Sequence, residues 1–288
     1  MNKKHRRLFI VLAAAWLLGL LAVYLSNTNF AVLNPAGMVA NQELNLIIFT
    51  VLLGLLVVLP VLVMTFVIAW KYREGNSSAK YSPDSDHNIL AESLWWGIPT
   101  VIIMVLSVIT WNSSHALDPH KPLKMAGAPL KVQVIALDWK WLFIYPEQDV
   151  ASINYLQLPI NKPVNFEITS DAPMNSFWIP QLGGQIYAMS GMSTQLNLMA
   201  SKAGDYRGSS ANLSGQGFSG MQFTARAGSE ADFKTWVASA KHSSASLNAE
   251  TYQQLRQPSQ DNPAVFYSSV TPGLYDRVVM KYMMPEVQ

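Results

Sequence analysis

Two loop-like segments of the chain have the residue types and spacing of a binding site. Residues 173–192 read PMNSFWIPQLGGQIYAMSGM, and residues 206–221 read YRGSSANLSGQGFSGM. A copper site on such loops would need cysteine thiolates and histidine imidazoles, because these donors select copper over harder cations. The chain has no cysteine, and no histidine occurs between His120 and His242. The side chains on offer are amides, hydroxyls and thioethers, so the loops have the form of a copper site without its ligands.

These segments resemble the two copper-binding segments of subunit II of the haem-copper oxidases, in the branch that oxidises quinol. In the branch that oxidises cytochrome c, the family pattern is a His before Ser-Phe and then, after Tyr-x-Gly, a Cys, Glu, Cys, His and Met. On this chain these six positions fall, in order, at Asn175, Ser210, Asn212, Ser214, Phe218 and Met221. The resemblance therefore implies vestigial copper-ligand positions that bind no metal, with the methionine alone retained.

The resemblance also implies a function. It is that of a metal-free subunit II in a proton-pumping terminal quinol oxidase, which oxidises quinol and reduces oxygen to water. The haems and copper would belong to the large subunit I, which is the expected partner together with further small membrane subunits and membrane lipid. The YPEQ sequence at residues 145–148 is more similar to the ubiquinol group than to the menaquinol group, so we expect ubiquinol as the substrate of the complex.

Two alternatives come from other functional classes. A copper-bearing subunit of a cytochrome c oxidase is disfavoured by the missing thiolates. A membrane-anchored cupredoxin-like binding module, such as a copper carrier, should keep a His or Met cluster at one mouth of the domain. The thioethers available for such a cluster are Met189, Met192, Met199 and Met221. Methionine is also an adaptable filler of irregular cores, which is the simpler interpretation of these four residues.

The composition of the chain predicts that it contains membrane helices in addition to the domain with these loops. The chain has 288 residues, of which 50% are hydrophobic and 13% charged, so a wholly soluble domain would be unusually apolar. The formal net charge of +2 and the absence of a basic stripe argue against a nucleic-acid partner. The lack of cysteine excludes disulfides, thiolate metal sites and a cysteine nucleophile.

Three apolar runs precede the loops. Residues 1–26 begin with four Lys or Arg and continue as an apolar run, which fits a signal peptide or a retained membrane anchor equally well. The uncharged runs 44–70 and 94–111 predict a transmembrane hairpin over residues 44–113, with residues 27–43 as an outer loop. Pro60 should kink the first helix, because proline removes a backbone donor. The alternative is a hairpin buried in a soluble protein, for which these runs are too long.

The distribution of Lys and Arg predicts the orientation. Residues 26–43 contain neither, whereas residues 71–80 contain Lys71, Arg73 and Lys80. The positive-inside rule then places the N-terminus and the 71–93 loop in the cytoplasm. We expect a multi-pass protein of the bacterial plasma (inner) membrane with its C-terminal domain on the outer, periplasmic side.

The sequence pattern of the C-terminal domain, residues 114–288, predicts an all-β sandwich with a helical extension. Short alternating strands separated by Pro, Gly and Asn turns favour an antiparallel sandwich over residues 114–228, and the resemblance implies its cupredoxin form. Over residues 229–288, Ser229 and Asn248 are in the positions of helix caps, and an amphipathic segment follows Pro272. Trp139 and Trp141, spaced by one, should share a strand face, where packing is the stronger interpretation.

Glu92 is the one ionisable side chain in the sequence between His87 and His115. It lies just before the apolar run 94–111, where a carboxylate is costly if it faces lipid. The bland alternative is a residue that reaches the interface without further function. The resemblance implies a different role, because a Glu at this place in related subunits lies at the entrance of a proton-uptake path into the large subunit.

Overall fold

The computed structural model describes residues 30–79, 87–123 and 127–283, together with Trp16, Gly19, Leu20 and Tyr24. The predicted signal or anchor at residues 1–26 lies almost wholly outside the described residues. The chain divides into two compact units, one of residues 1–41 and 122–288 and the other of residues 42–121.

Two long helices account for the second and third apolar runs. Helix α1 spans Met38–Lys71 and contains Pro60, and helix α2 spans Ile89–Ala116 and contains Pro99. Asn88 caps α2, since its side chain accepts a hydrogen bond from the Ala91 amide at 3.0 Å. Both helices are longer and more apolar than a membrane crossing needs, and they extend beyond the predicted runs at both ends.

The C-terminal domain is a two-sheet sandwich, as predicted. Its strands are β1 (Leu130–Leu137), β2 (Lys140–Tyr145), β3 (Val150–Ile153), β4 (Tyr155–Pro159), β5 (Val164–Ser170), β6 (Asn175–Trp178), β7 (Gln185–Ala188), β8 (Thr194–Leu198), β9 (Gly204–Ser210), β10 (Gln222–Gly228) and β11 (Val265–Tyr267). In the described part of the chain, one sheet has the order β11-β3-β2-β1-β5-β8 and the other β4-β10-β9-β6-β7. Most pairs are antiparallel, but β1 with β5 and β4 with β10 run parallel.

Aromatic side chains fill the space between the sheets. Trp141, Phe143 and Phe177 are fully buried, and the Phe177 ring stacks on Phe223 with centroids 5.3 Å apart. Gly208 faces this cluster on β9. A Cβ atom there would lie 2.0 Å from the Phe223 ring, so the close approach of backbone to ring requires glycine.

Up to Met283, where the described residues end, the extension forms three short helices, α3 (Glu230–Lys241), α4 (Ala249–Leu255) and α5 (Leu274–Lys281). The predicted caps are confirmed, because Ser229 and Asp232 form a capping box and Asn248 accepts from the Thr251 amide at 2.9 Å. The segment from Leu247 to Val278, which includes α4 and α5, packs on the six-stranded sheet in one apolar cluster. This cluster contains Ile135, Leu137, Leu142, Ile144, Ala151, Ile153, Leu247, Tyr252, Tyr267, Leu274, Tyr275 and Val278.

The prediction for the tryptophan pair is wrong in part. Trp141 lies in β2 and is fully buried, which agrees with a packing role. Trp139 instead lies in the tight turn between β1 and β2 with a φ of +59°. The two indoles therefore do not share a strand face, because the turn takes Trp139 out of the alternation along β2.

Candidate functional site

The first two predicted ligand positions meet where β6 and β9 pair. Asn175 is the first residue of β6, and Ser210 is the last residue of β9. The strands run antiparallel, with Phe177 opposite Ser210. Since one strand starts where the other ends, the two loop segments come together at one end of the five-stranded sheet.

A hydrogen-bond network joins these positions. The Ser210 hydroxyl donates to Asn175 Oδ1 at 3.0 Å and accepts from the Ser176 amide at 3.2 Å. The Asn212 side chain donates to the Met174 carbonyl at 3.0 Å and so ties the second segment to the first. Asn175 and Ser210 are both buried. The polar groups at these positions therefore satisfy one another inside the protein.

The remaining positions lie on the following loop beneath Trp139. The Trp139 indole donates from Nε1 to the Ser214 carbonyl at 3.1 Å. Its ring covers the loop so closely that a Cβ atom at Gly217 would lie 2.3 Å away. Phe218 begins a 3-10 turn, Phe218–Gly220, and Met221 is fully buried just after it. Trp139 therefore covers the loop and binds it by a hydrogen bond. The spacing of the tryptophans did not predict this contact.

These residues do not fit a thiolate-imidazole copper centre. Asn175 and Ser210 direct their oxygens at each other and at backbone amides, and the Phe218 ring has no donor atom. The methionines differ in environment, because Met192 is 51% exposed while Met199 and Met221 are buried. Among the described residues, no three or more His, Cys, Asp or Glu side chains are grouped in a way that could hold a metal ion.

Glu92 lies in the first turn of α2. Its Oε1 is 2.5 Å from Nδ1 of His87 and accepts a hydrogen bond from the Asn88 amide at 3.3 Å. The Glu92 side chain is about one-third exposed, whereas the His87 side chain is 79% exposed. The carboxylate thus benefits from the free amides of the helix N-terminus and has an imidazole beside it. The sequence placed Glu92 but gave no sign of its contact with His87.

Known proteins match this chain in sequence over most of its length. The family model described as "Cytochrome C oxidase subunit II, periplasmic domain" matches residues 147–227, and the model "COX Aromatic Rich Motif" matches residues 241–286. The "Cytochrome bo(3) ubiquinol oxidase subunit 2" of Pseudomonas putida is 49% identical over 281 residues, which are 98% of this chain and 88% of the relative. This chain belongs to the quinol oxidase subunit II family.

Other members of the family match over slightly shorter lengths. The "Ubiquinol oxidase subunit 2" of Acetobacter aceti is 48% identical, over 91% of this chain and 85% of the relative. The "Quinol oxidase subunit 2" of Bacillus subtilis is 38% identical, over 84% of this chain and 76% of the relative. This quinol oxidase subunit II therefore combines two apolar helices, a cupredoxin-like sandwich and a C-terminal helical extension, which confirms the predicted fold class.

Solved structures match the subunit over smaller parts. The periplasmic domain of cytochrome oxidase subunit II from Bradyrhizobium japonicum is 23% identical, with a TM-score of 0.38, over 41% of this chain and 97% of that one. Auracyanin B is 13% identical, with a TM-score of 0.26, over 38% of this chain and 96% of that one.

Two scaffold residues of the family pattern have structural roles in this subunit. Tyr206 donates from its hydroxyl to the Lys202 carbonyl at 2.7 Å, and burial raises the pKa of Tyr206 above its usual value. Gly215 has a φ of +112°, a conformation that favours glycine, and a Cβ atom there would lie 3.3 Å from the Trp139 ring. Tyr206 thus fixes the turn before β9 and Gly215 shapes the loop after it, and neither role involves a metal.

Proposed function

We propose that this chain is the non-redox subunit II of a ubiquinol-oxidising terminal oxidase and that it binds no metal of its own. The observation that carries the proposal is the hydrogen-bonded pair of Asn175 and Ser210, which stands at family ligand positions and is satisfied without a metal. Electrons then pass from quinol in the membrane to haems and copper in the large subunit I. The similarity to ubiquinol oxidase subunits supports the choice of quinol.

The vestigial positions have a structural task in this proposal. Asn175, Ser210 and Asn212 hold the ends of β6 and β9 together by hydrogen bonds. Ser214 offers its carbonyl to Trp139, while Phe218 and Met221 supply apolar surface. The Ser214 hydroxyl is buried without a hydrogen-bond partner among the described residues. This fits a serine that stands where the family pattern has a metal-binding cysteine.

The proposed location is the bacterial inner membrane, with α1 and α2 as the spanning hairpin. The N-terminus and the 71–93 loop lie in the cytoplasm, and the C-terminal domain lies on the periplasmic side. We keep the division into residues 1–26, 27–43, 44–113, 114–228 and 229–288 as a proposal for the domains. The start of α1 at Met38 makes the second of these segments partly helical.

Glu92 is proposed to collect protons from the cytoplasm for the large subunit. A proton collector must exchange with water and also reach the protein interior, and the side chain of Glu92 is about one-third exposed beside the exposed His87. Glu92→Gln keeps the shape and an oxygen for the Asn88 amide but does not ionise. We expect steady-state oxygen reduction to fall severalfold with assembly and haem content unchanged.

The matched control for this variant is Glu74→Gln, which neutralises an exposed acid on the loop after α1. It should leave turnover as in the wild-type complex. If fully assembled Glu92→Gln shows wild-type turnover over a broad pH range, Glu92 has no part in proton uptake.

The assignment to an oxidase is tested by purifying this chain from its native membranes through an affinity tag. The proposal expects a haem-bearing membrane subunit to copurify and the complex to consume oxygen with ubiquinol in the absence of cytochrome c. A chain that purifies without a haem-bearing partner, or a complex that requires cytochrome c, would refute it.

A further inference from the structure

A buried carboxylate connects the body of the sandwich to the C-terminal extension. Asp171 follows β5 at the start of the short loop that leads to Asn175. Its side chain has no exposed surface, and its backbone amide donates to the Ala136 carbonyl at 2.9 Å. An ionised carboxylate in such a place is unfavourable unless several donors face it. Here the donors come from α4 and α5 and the residues that end these helices.

Four side chains of the extension converge on Asp171. The Lys281 ammonium lies 2.6 Å from Oδ1, and the Tyr282 hydroxyl donates to the same oxygen at 2.5 Å. The Tyr252 hydroxyl donates to Oδ2 at 2.7 Å, and Arg256 Nε forms an ion pair with that oxygen at 2.9 Å. Each carboxylate oxygen therefore contacts one tyrosine and one cation of its own. This is a much denser set of contacts than a surface ion pair provides.

The pKa of Asp171 agrees with this geometry. Burial alone would raise the pKa, but the hydrogen bonds from Lys281, Tyr282 and Tyr252 outweigh it and hold the pKa below its usual value. The carboxylate is therefore ionised near neutral pH. It attracts Arg256 and Lys281 at that pH.

Helix α5 depends on contacts of this kind. It has eight residues, too few for a stable helix by itself, and Gly273 gives it no side-chain cap. Leu274, Tyr275 and Val278 bury its apolar face, and the Tyr275 hydroxyl lies 2.7 Å from Ser193 Oγ. These contacts fix the first two turns.

At the other end of α5, the contacts of Lys281 and Tyr282 with Asp171 are the last side-chain hydrogen bonds of the described chain, which ends at Met283. Tyr282 also packs on Gly191, where a Cβ atom would lie 3.1 Å from the tyrosine Cβ. The C-terminal end of α5 is therefore held by its contacts with Asp171 and by this packing.

We propose that Asp171 is a latch that closes the C-terminal extension over the six-stranded sheet, and that residues 271–283 open as one unit when it is lost. The latch is a property of the fold and does not depend on the proposed role of the chain in a quinol oxidase. Opening would uncover the apolar cluster beneath α5 while the inner aromatic core stays packed. The extension is thus held closed over the sheet by contacts at the C-terminal end of α5.

Hydrogen exchange measured by mass spectrometry on the purified oxidase complex tests the latch. Asp171→Asn keeps the shape but removes the charge that holds both cations. We expect exchange in residues 271–283 to accelerate by about tenfold or more, since a hydrogen bond to a charged group is worth about that factor. Residues 130–145, in β1 and β2, should exchange at the wild-type rate.

Two further variants complete the test. Tyr282→Phe keeps the ring on Gly191 and removes only the hydroxyl, so it should accelerate exchange in the same segment by a smaller factor, about threefold, and it decides the matter if Asp171→Asn does not assemble. Asp276→Asn is the control, because it neutralises an exposed acid on α5 itself. Unchanged exchange in residues 271–283 overturns the latch. So does equal acceleration in residues 130–145, because Asp171 would then stabilise the whole domain.

Discussion

Replacing Ser210 by alanine should destabilise the C-terminal domain by about 2 kcal/mol. The substitution removes the hydroxyl that accepts from the Ser176 amide and donates to Asn175 Oδ1. Ser176 and Asn175 are buried, with exposed fractions of 2% and 1%, so water does not replace the lost partner. Each of these two buried polar groups left without a partner costs about 1–3 kcal/mol, and the lower limit applies to each because the loop can adjust, which gives about 2 kcal/mol in total.

The matched control is Ser209→Ala on the same strand. Ser209 is half-buried and precedes Ser210, so its side chain points to the other face of β9. A substitution at a partly exposed position of this kind should change stability by only about 0.5 kcal/mol. For a domain of this size, 2 kcal/mol corresponds to a fall in Tm of about 4–8 °C.

Thermal unfolding of the purified full-length chain, followed by tryptophan fluorescence, measures this difference. The Trp139 indole packs against the loop that follows Ser210 and reports on the order of that loop. Equal Tm values for Ser210→Ala and Ser209→Ala would refute the claim that a polar network stabilises the predicted ligand positions.

Three further predictions follow from the sequence and structure. Restoring the five lost family ligands at their aligned positions should give copper binding with thiolate-to-metal absorption, and a folded but colourless product after copper loading would show that the alignment is wrong. Burial raises the pKa of Tyr145, so above pH about 10 the unfolded chain releases this proton while the folded chain keeps it, and stability falls. Tyr145→Phe should reduce the slope of stability against pH above about pH 10, measured by denaturant unfolding. An unchanged slope would show that Tyr145 does not cause this loss of stability. Because the chain has no cysteine, single cysteines at Ser77 and Ser246 can be labelled in spheroplasts with an impermeant thiol reagent. Only the Ser246 variant should react, and labelling at Ser77 would reverse the orientation.

Features encoded locally were predictable from the sequence. The two long helices follow from uninterrupted apolar runs, and the caps at Ser229 and Asn248 follow from a polar residue placed before a helical pattern. The alternation of apolar and polar residues in short segments predicted the β-sandwich. Such features depend on neighbours within a few residues, so a single sequence contains the information for them.

Features that depend on distant contacts were not predictable. The parallel pairing of β1 with β5 and the four partners of Asp171 join residues far apart in the chain. Trp139 was misplaced because a left-handed turn residue is uncommon for a bulky side chain, and the alternation rule assumes a continuous strand. The ligand positions themselves came from the family resemblance, since amides and hydroxyls in a loop have no pattern of their own.

We expect the C-terminal domain of this subunit to hold no metal. The most direct measurement is the copper content of the purified full-length chain after copper loading and mild chelation, determined by elemental analysis. The donors at Asn175, Ser210 and Met221 are an amide, a hydroxyl and a buried thioether, so we expect no retained copper. Copper retained in stoichiometric amount by the folded chain would contradict it.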